Sequence, residues 1–430
     1  MNAEAARMTG ERWARIVPAV LLMYTISYFD RVNIGLALPS MSRDLGLSPG
    51  AAGLAGGIFF WGYLVTFLAA GWLAPRFGPR RTVLWSLIAW GFAAMLTGFV
   101  RSEGELLAVR LLLGAAEGPV WASTAMLLSQ WFLKPERARA FGLWNLCIPV
   151  GALLAGPISG MILAHSSWRT MFVVEGLPAW IWAVGWWVIV PQSPETATWL
   201  GSEERERLRA GLAAELADHG RQGHDGLNAV LRHPIVWALL GGFSLINMVS
   251  YGFTLWLPSA LKASGTLSIG GIGWLSALPY AAAIPGLLLI TRSSDKWGER
   301  RMHASIPMVI IGTLLLAGVH LDHGSVVAEM VVFTAMGFFL YMYLPIIFTF
   351  ATEILPHQTA IPAVAFIGGV GNLFGGFVGP TMVGWLRGVS GGFTVPFTVL
   401  GIGGILGGVL ILAVRGKPQH EAAALASLRS

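Results

Sequence analysis

Long apolar runs alternate along the chain with short breaks rich in charge, glycine or proline. Twelve runs stand out, at about 16–39, 51–74, 82–100, 105–132, 139–164, 169–190, 234–258, 271–291, 303–319, 326–350, 359–386 and 393–414. Each is close to the roughly 20 residues an α-helix needs to cross the hydrocarbon core of a bilayer. The pattern predicts an all-α membrane protein with twelve transmembrane helices. The first run is too long for a signal-peptide core and has no small-residue cleavage site, so it reads as a retained helix.

The breaks repeat. Leu-Pro-Ser occurs at 38–40 and 257–259, Gly-x-Arg-Arg at 78–81 and 298–301, and Gly-Pro at 156–157 and 379–380, with offsets of 219 to 223. Three matches in order at nearly constant spacing mark parallel pseudo-repeats. They divide the chain into a six-helix bundle at 1–190, a connecting loop at 191–233, and a second six-helix bundle at 234–430 that ends in a short tail. The stretch 203–218 in the loop has helical composition and mixed charge, and reads as a solvated connector.

Basic residues set the orientation. One set of loops carries 21 Lys and Arg, and the opposite set carries five: Arg43, Arg101, Arg169, Lys262 and Arg387. By the positive-inside rule, both termini and the 191–233 loop are cytoplasmic and the protein sits in the cell (inner) membrane. The net charge of +6 does not point to nucleic acid, because the basic residues lie in loops that alternate between spans. Composition agrees: of 430 residues, 55% are hydrophobic and 12% charged, against about 25% charged in soluble domains. The single Cys147 permits no intrachain disulfide. No metal, cofactor or catalytic motif is evident, so we expect no enzyme, no cofactor and a monomer.

The chemistry lies where charge interrupts the apolar runs. Asp30 and Arg31 are adjacent inside the first span, and Arg110 and Glu117 lie seven residues apart in the fourth. Seven residues are about two helical turns, so the latter two share a face. A charge at the bilayer centre costs roughly 2.5–3.5 kcal/mol on insertion scales. These groups must therefore pair, neutralise or face water. An arginine in a polar cavity binds a carboxylate in a bidentate way. Arg31 is the candidate for that role, Asp30 and Glu117 are candidate proton carriers, and Arg110 is their charge partner. Asn372 sits among glycines in the eleventh span, where a buried amide needs partners and suits a polyol. Tyr63, Asn145, Tyr251 and Trp256 are further candidates for the lining of a substrate cavity. No Lys or Arg lies inside the second-half spans, which favours a monocarboxylate over a phosphate dianion.

Four stretches carry a family resemblance: YFDRVNIGLALPSM at 28–41, RLLLGAAEGPVWAS at 110–123 with WFLKPERARA at 131–140, WRTMFVVEGLPA at 168–179 with PQSPETATWL at 191–200, and YGFTLWLP at 251–258. They resemble the major facilitator superfamily, and within it the anion:cation symporters related to galactonate, glucarate and hexuronate carriers. The resemblance implies the major facilitator fold and places that family's helix-1 Asp-Arg on Asp30 and Arg31 and its helix-4 Arg and Glu on Arg110 and Glu117. It also implies a substrate-contacting tyrosine near Tyr63. The superfamily's loop motif appears as GWLAPRFGPRR at 71–81, giving Gly71, Arg76, Gly78, Arg80 and Arg81 as gate residues, with Pro75 where an acid is usual. The second copy, SDKWGERR, keeps its acid and gives Asp295, Gly298, Arg300 and Arg301. Some sugar-acid carriers have a glutamine one turn beyond Asn145, and this chain does not. The expectation is proton-coupled uptake of a small organic anion, a sugar acid or aromatic carboxylate, by alternating access. An organic-anion or organophosphate exchanger, suggested by GALLAGPISG at 151–160, and a transporter-like sensor are the alternatives.

Overall fold

The structure is a computed structural model that describes residues 3–220, 227–263, 265, 267–320 and 326–414. The expected tail lies outside these residues. Among them the chain is helical from end to end: α1 (Ala3–Val32), α2 (Ile34–Leu45), α3 (Pro49–Gly57), α4 (Phe59–Phe77), α5 (Pro79–Thr97), α6 (Glu103–Trp131), α7 (Lys134–Asn145), α8 (Cys147–His165), α9 (Trp168–Ile189), α10 (Ser202–Gly220), α11 (Leu227–Arg232), α12 (Pro234–Ala263), α13 (Ile269–Trp297), α14 (Arg301–His320), α15 (Val326–Phe339), α16 (Tyr343–Ile354), α17 (His357–Ser390) and α18 (Thr394–Ala413).

The twelve expected spans are all present. Four of them are broken rods: α1–α2, α3–α4, α7–α8 and α15–α16. Ten of the twelve are long and apolar enough to cross a membrane by length and composition. The first span and α5 fall short of that measure. α1 carries Asp30 and Arg31 near its end, and α5 opens on Arg80 and Arg81. Two of the breaks have a proline cause. Proline has no N–H to give the carbonyl four residues earlier. Pro149 thus frees the carbonyl of Asn145, where α7 ends, and Pro345 frees that of Tyr341, which takes the Leu344 N–H instead at 3.2 Å. Polar starts fix other ends: the Ser102 and Ser167 side chains accept the Glu105 and Thr170 N–H groups and cap α6 and α9.

The chain forms two compact units. One comprises Met1–Gly46, Ile58–Arg221 and Ser268–Trp274, and the other Leu47–Gly57, Gln222–Leu267 and Leu275–Ser430. The short segments at 47–57 and 268–274 are separated by about the repeat offset of 220, so each repeat places the same piece in the other unit.

In the first unit, α6 packs along α4 and α5, and α9 packs on α5 and α1. The α4–α6 seam depends on glycine. A Cβ at Gly114 would meet the Phe59 carbonyl, and one at Gly118 the Tyr63 carbonyl. The two backbones therefore touch, as small residues allow in membrane helices. In the second unit α12 packs on α17 and α18, and α14 packs on α18.

The helix in the connecting segment is solvated along most of its length, as expected, and is docked along one face. Arg12 of α1 is 1% exposed. Its Nε donates to Glu204 of α10 at 2.9 Å, and its Nη atoms donate to both Glu136 carboxylate oxygens at 2.8 and 2.9 Å and to the Trp131 carbonyl at 2.8 Å. Arg137 adds a 2.7 Å bond to Glu215 further along α10, and the Lys134 N–H donates to the same carboxylate at 2.7 Å. Burial pushes the Glu204 carboxyl up, with Arg12 opposing it. Removing one partner from a buried ion network strands the others and typically costs about 3–5 kcal/mol. Arg12→Ala should therefore lower the thermal unfolding midpoint markedly and speed amide exchange throughout α10. Arg12→Ala combined with Glu204→Gln should recover part of the loss. Unchanged exchange in α10 would show that the network does not hold it.

Candidate functional site

The first unit concentrates ionic groups at the end of α1. Asp30 and Arg31 are consecutive, so their side chains leave the helix about 100° apart. Arg31 turns toward α4 and α6. Its Nη2 donates to Glu117 Oε2 at 2.9 Å, and Ser27 Oγ donates to the same oxygen at 2.8 Å. The Arg31 and Glu117 side chains are 6% and 0% exposed, so this is a buried salt bridge. Four aromatic rings surround the guanidinium. Phe59 and Tyr63 lie 5.0 Å from it, Tyr28 lies 5.6 Å and Tyr24 5.9 Å away. Such faces favour a desolvated cation. Tyr24 also approaches Arg31 Nη2 through its hydroxyl, at 3.5 Å.

Arg110 stands two turns before Glu117 on α6, 1% exposed, with its guanidinium 5.3 Å from the Phe59 ring. Phe59 thus lies against both arginines. Asp30 is also 1% exposed, with the Trp90 indole as its hydrogen-bonding neighbour and Glu117, Glu175 and Arg110 in its electrostatic surroundings.

The expected residues of the first unit therefore fall into two sets. Asp30, Arg31, Tyr63, Arg110 and Glu117 come together. Asn145 instead ends α7 and donates to the Phe141 carbonyl at 2.9 Å, one turn back on its own helix. The reading of the sequence missed Ser27, Tyr24, Tyr28 and Phe59 around Arg31. It also passed over Glu175, a carboxylate 3% exposed in α9, although that residue is the one acid in the apolar run 169–190. An isolated acid in a span was the signal available.

The second unit has a neutral counterpart. Asn372 Nδ2 donates to the Gly368 carbonyl at 2.8 Å, while its Oδ1 accepts from Asn247 Nδ2 and the Tyr251 hydroxyl, each at 3.4 Å. Tyr343 donates to Asn247 Oδ1 at 2.7 Å and meets Ser250 Oγ at 3.2 Å. Asn372 and Tyr251 thus belong to one amide–hydroxyl cluster with Asn247, Tyr343 and Ser250, which the sequence did not single out. Trp256 sits in packing. It is 1% exposed and its indole donates to the Pro380 carbonyl at 2.9 Å, tying α12 to α17.

The gate motifs differ between the repeats. Arg300 bridges Asp295 at 2.8 Å and Glu353 at 3.1 Å, joining the loop to α16. Gly298 turns that loop at φ 62°, a conformation glycine adopts without strain. In the first repeat Pro75 lies within α4, and Gly78 makes the turn at φ 84°. Arg80 there lies over the Trp187 ring at 3.9 Å and donates to the Trp187 carbonyl near the end of α9. Arg76 lies over Trp72 at 5.2 Å. A Cβ at Gly71 would meet open space, Arg81 is exposed and Arg301 is half-buried at the start of α14.

Comparison with known proteins bears on the whole chain. The family model described as Major Facilitator Superfamily matches residues 20–266 and 260–430. A putative tartrate transporter of Agrobacterium vitis is 32% identical over 383 residues, 87% of this chain and 86% of that protein. A quinolone resistance transporter of Acinetobacter baumannii is 29% identical over 379 residues, 87% of each. The crystal structure of a D-xylose-proton symporter shares the fold at a TM-score of 0.70 and 17% identity, covering 93% of this chain and 97% of that one. With its twelve helical spans and a family match along nearly its full length, the chain belongs to the Major Facilitator Superfamily of membrane transporters.

Proposed function

We propose that this transporter carries a small organic anion, a sugar acid or other hydroxylated or aromatic carboxylate, in symport with protons. The observation that carries the reading is the buried Arg31–Glu117 pair at 2.9 Å, ringed by aromatics, with Asp30 and Arg110 in the same unit. The substrate carboxylate takes the place of Glu117 on Arg31, through charge-assisted hydrogen bonds worth more than neutral ones. Glu117 and Asp30 then hold protons, so that the loaded carrier has no stranded carboxylate when it reorients. On release, the emptied Glu117 returns to Arg31, the arrangement seen in the structure. Within the second unit, the neutral cluster of Asn372, Asn247, Tyr251 and Tyr343 offers amides and hydroxyls of the kind that suit a hydroxylated ligand. Asn145 and Trp256 serve as packing and positioning residues.

The same reading puts the protein in the inner membrane as a monomer, with both termini and the connecting segment in the cytoplasm. The six-helix halves at 1–190 and 234–430 alternate access, and the Asp295–Arg300–Glu353 cluster is a cytoplasmic gate. The name of the tartrate-transporter relative supports the substrate class. The quinolone-resistance relative favours a second reading, export or exchange, to which the Gly-Pro stretch of α8 also points.

Glu117→Gln in proteoliposomes should abolish accumulation driven by a pH gradient while sparing counterflow exchange, because the neutral amide fixes the carrier in its protonated form. Normal accumulation by that variant would sink the symport mechanism. Substrate movement in wild-type vesicles only against the direction of proton flow would favour the exporter.

A thermal-shift panel of organic acids, beginning with tartrate, addresses the anion. A ligand that binds only the folded state raises the unfolding midpoint in proportion to RT ln(1 + [L]/Kd). An acid that stabilises the wild type should bind Arg31→Ala at least tenfold more weakly, equivalent to about 1.4 kcal/mol. Stabilisation by neutral sugars alone would overturn the anion assignment.

A further inference from the structure

We propose that Glu175 is a proton-binding site whose charge state is read out through Asn33, the residue at which the first span breaks. The inference deepens the proton-coupled reading and rests on it, adding a third carboxyl with the proton as its ligand.

Glu175 lies on α9, 3% exposed, with its carboxylate held by two neutral donors. Ser159 Oγ of α8 donates to Oε1 at 2.7 Å, and Asn33 Nδ2 donates to Oε2 at 2.8 Å. Among the described residues no Lys, Arg or His lies within ion-pair distance of it, unlike Glu117. A buried carboxylate with no counter-ion is costly, and taking up a proton is the usual remedy. The other half of the Asn33 amide is ready for that state. Asn33 is 1% exposed and its Oδ1 has no hydrogen-bond partner. An ionised carboxylate only accepts, whereas a protonated one must donate. By turning over, the same amide offers its N–H to the first form and its carbonyl to the second. Both charge states of Glu175 thus find a partner in one side chain, at the price of reorienting it.

That side chain sits at the break in the first span. The Leu36 N–H bonds to the Asn33 carbonyl at 3.1 Å, a tighter turn than the regular α-helical step, and α2 begins one residue on. Asn33 follows Asp30 and Arg31 by three and two residues. An amide reoriented by protonation therefore acts on the turn that carries the Arg31–Glu117 pair.

The elements packed against α9 are α1, α2, α5 and α8. On α1, Asp30 shares its electrostatic surroundings with Glu175. On α2, Asp44 bonds the Trp168 indole at the start of α9 and Arg169 at 3.5 Å, and Arg43 precedes it. Seven residues separate Trp168 from Glu175, a rise of about 10 Å. Arg80 and Arg81 of α5 lie toward the other end of α9, where Arg80 meets Trp187. On α8, His165 bonds the Met161 carbonyl at 2.9 Å and is exposed, and Cys147 is buried at the first residue. Among these groups Asp30 is the one whose electrostatic surroundings include Glu175.

The test uses the full-length protein in lipid nanodiscs without substrate. Infrared difference spectra across a pH titration read the carbonyl stretch of protonated carboxyls. The wild type should show a titrating carboxyl band that is lost in Glu175→Gln and kept in Asp30→Asn and Glu117→Gln. Amide exchange at residues 29–36, corrected for intrinsic chemistry, should change with the same midpoint in the wild type and be flat in Glu175→Gln and Asn33→Ala. Should Glu175→Gln fail to fold, Ser159→Ala keeps the carboxyl and removes one donor, and should move the midpoint by about one pH unit. An unaltered set of titrating bands in Glu175→Gln, an unmoved midpoint in Ser159→Ala, or pH-invariant exchange at 29–36 would overturn the proposal. These measurements involve no transport, so the site stands or falls separately from the accumulation assay on Glu117→Gln.

Discussion

The structure of the first unit depends on one constraint, the cost of holding ions where no water solvates them. Among the described residues five Asp, Glu and Arg side chains, Asp30, Arg31, Arg110, Glu117 and Glu175, are buried among its spans. Each has a different setting. Arg31 and Glu117 meet directly and Ser27 joins them; Glu175 takes two neutral donors; Arg110 lies against Phe59. These settings require close helices, and the glycine seam between α4 and α6 supplies them. At Gly114 and Gly118 the backbones approach without an intervening Cβ, which brings the face bearing Glu117 to the rings of Phe59 and Tyr63. Charge and packing are thus coupled: without the seam, α6 would stand away from α4 and α1, and Arg31 would lose its carboxylate.

Most of the fold was legible in the apolar pattern. All twelve spans appear, because hydrocarbon thickness fixes their length whatever the details of packing. The breaks inside four spans were not legible in the same way. Proline offers a local cause at Asn145 and Tyr341, but the turn at Asn33 has no proline four residues on, and what marks it is the bond of its side chain to Glu175. The docking of the connecting helix was not legible for a related reason. Mixed charge in 203–218 looks solvated by composition, yet Glu204 and Glu215 are answered by Arg12 and Arg137, about 190 and 80 residues away in sequence. Composition shows charge and not its partners.

The candidate site was legible where the signal was a charge in an apolar run. Asp30, Arg31, Arg110 and Glu117 were found that way, and they do come together. Neutral groups carry no such mark. Tyr343 and Asn247 look like ordinary members of their spans until the geometry joins them to Asn372. Trp256 is the converse case, since a tryptophan near a span end suits a cavity wall and a packing role equally. Its 2.9 Å bond to the Pro380 carbonyl gives it a packing role here.

The asymmetry between the units bears on how a proposed proton–anion coupling could operate. The polar groups of the second unit are amides and hydroxyls, which exchange partners at small net cost because each hydrogen bond replaces one to water. Those of the first unit are ions. If a substrate carboxylate displaces Glu117 from Arg31, one salt bridge replaces another and the Coulomb terms nearly cancel. What remains is the displaced carboxylate, which burial makes costly until it binds a proton. In the proposed mechanism substrate and proton would favour each other through a shared arginine, and by linkage that coupling would act equally in both directions. The aromatic rings around Arg31 suit that proposed exchange, because their faces favour a desolvated cation whichever carboxylate it meets.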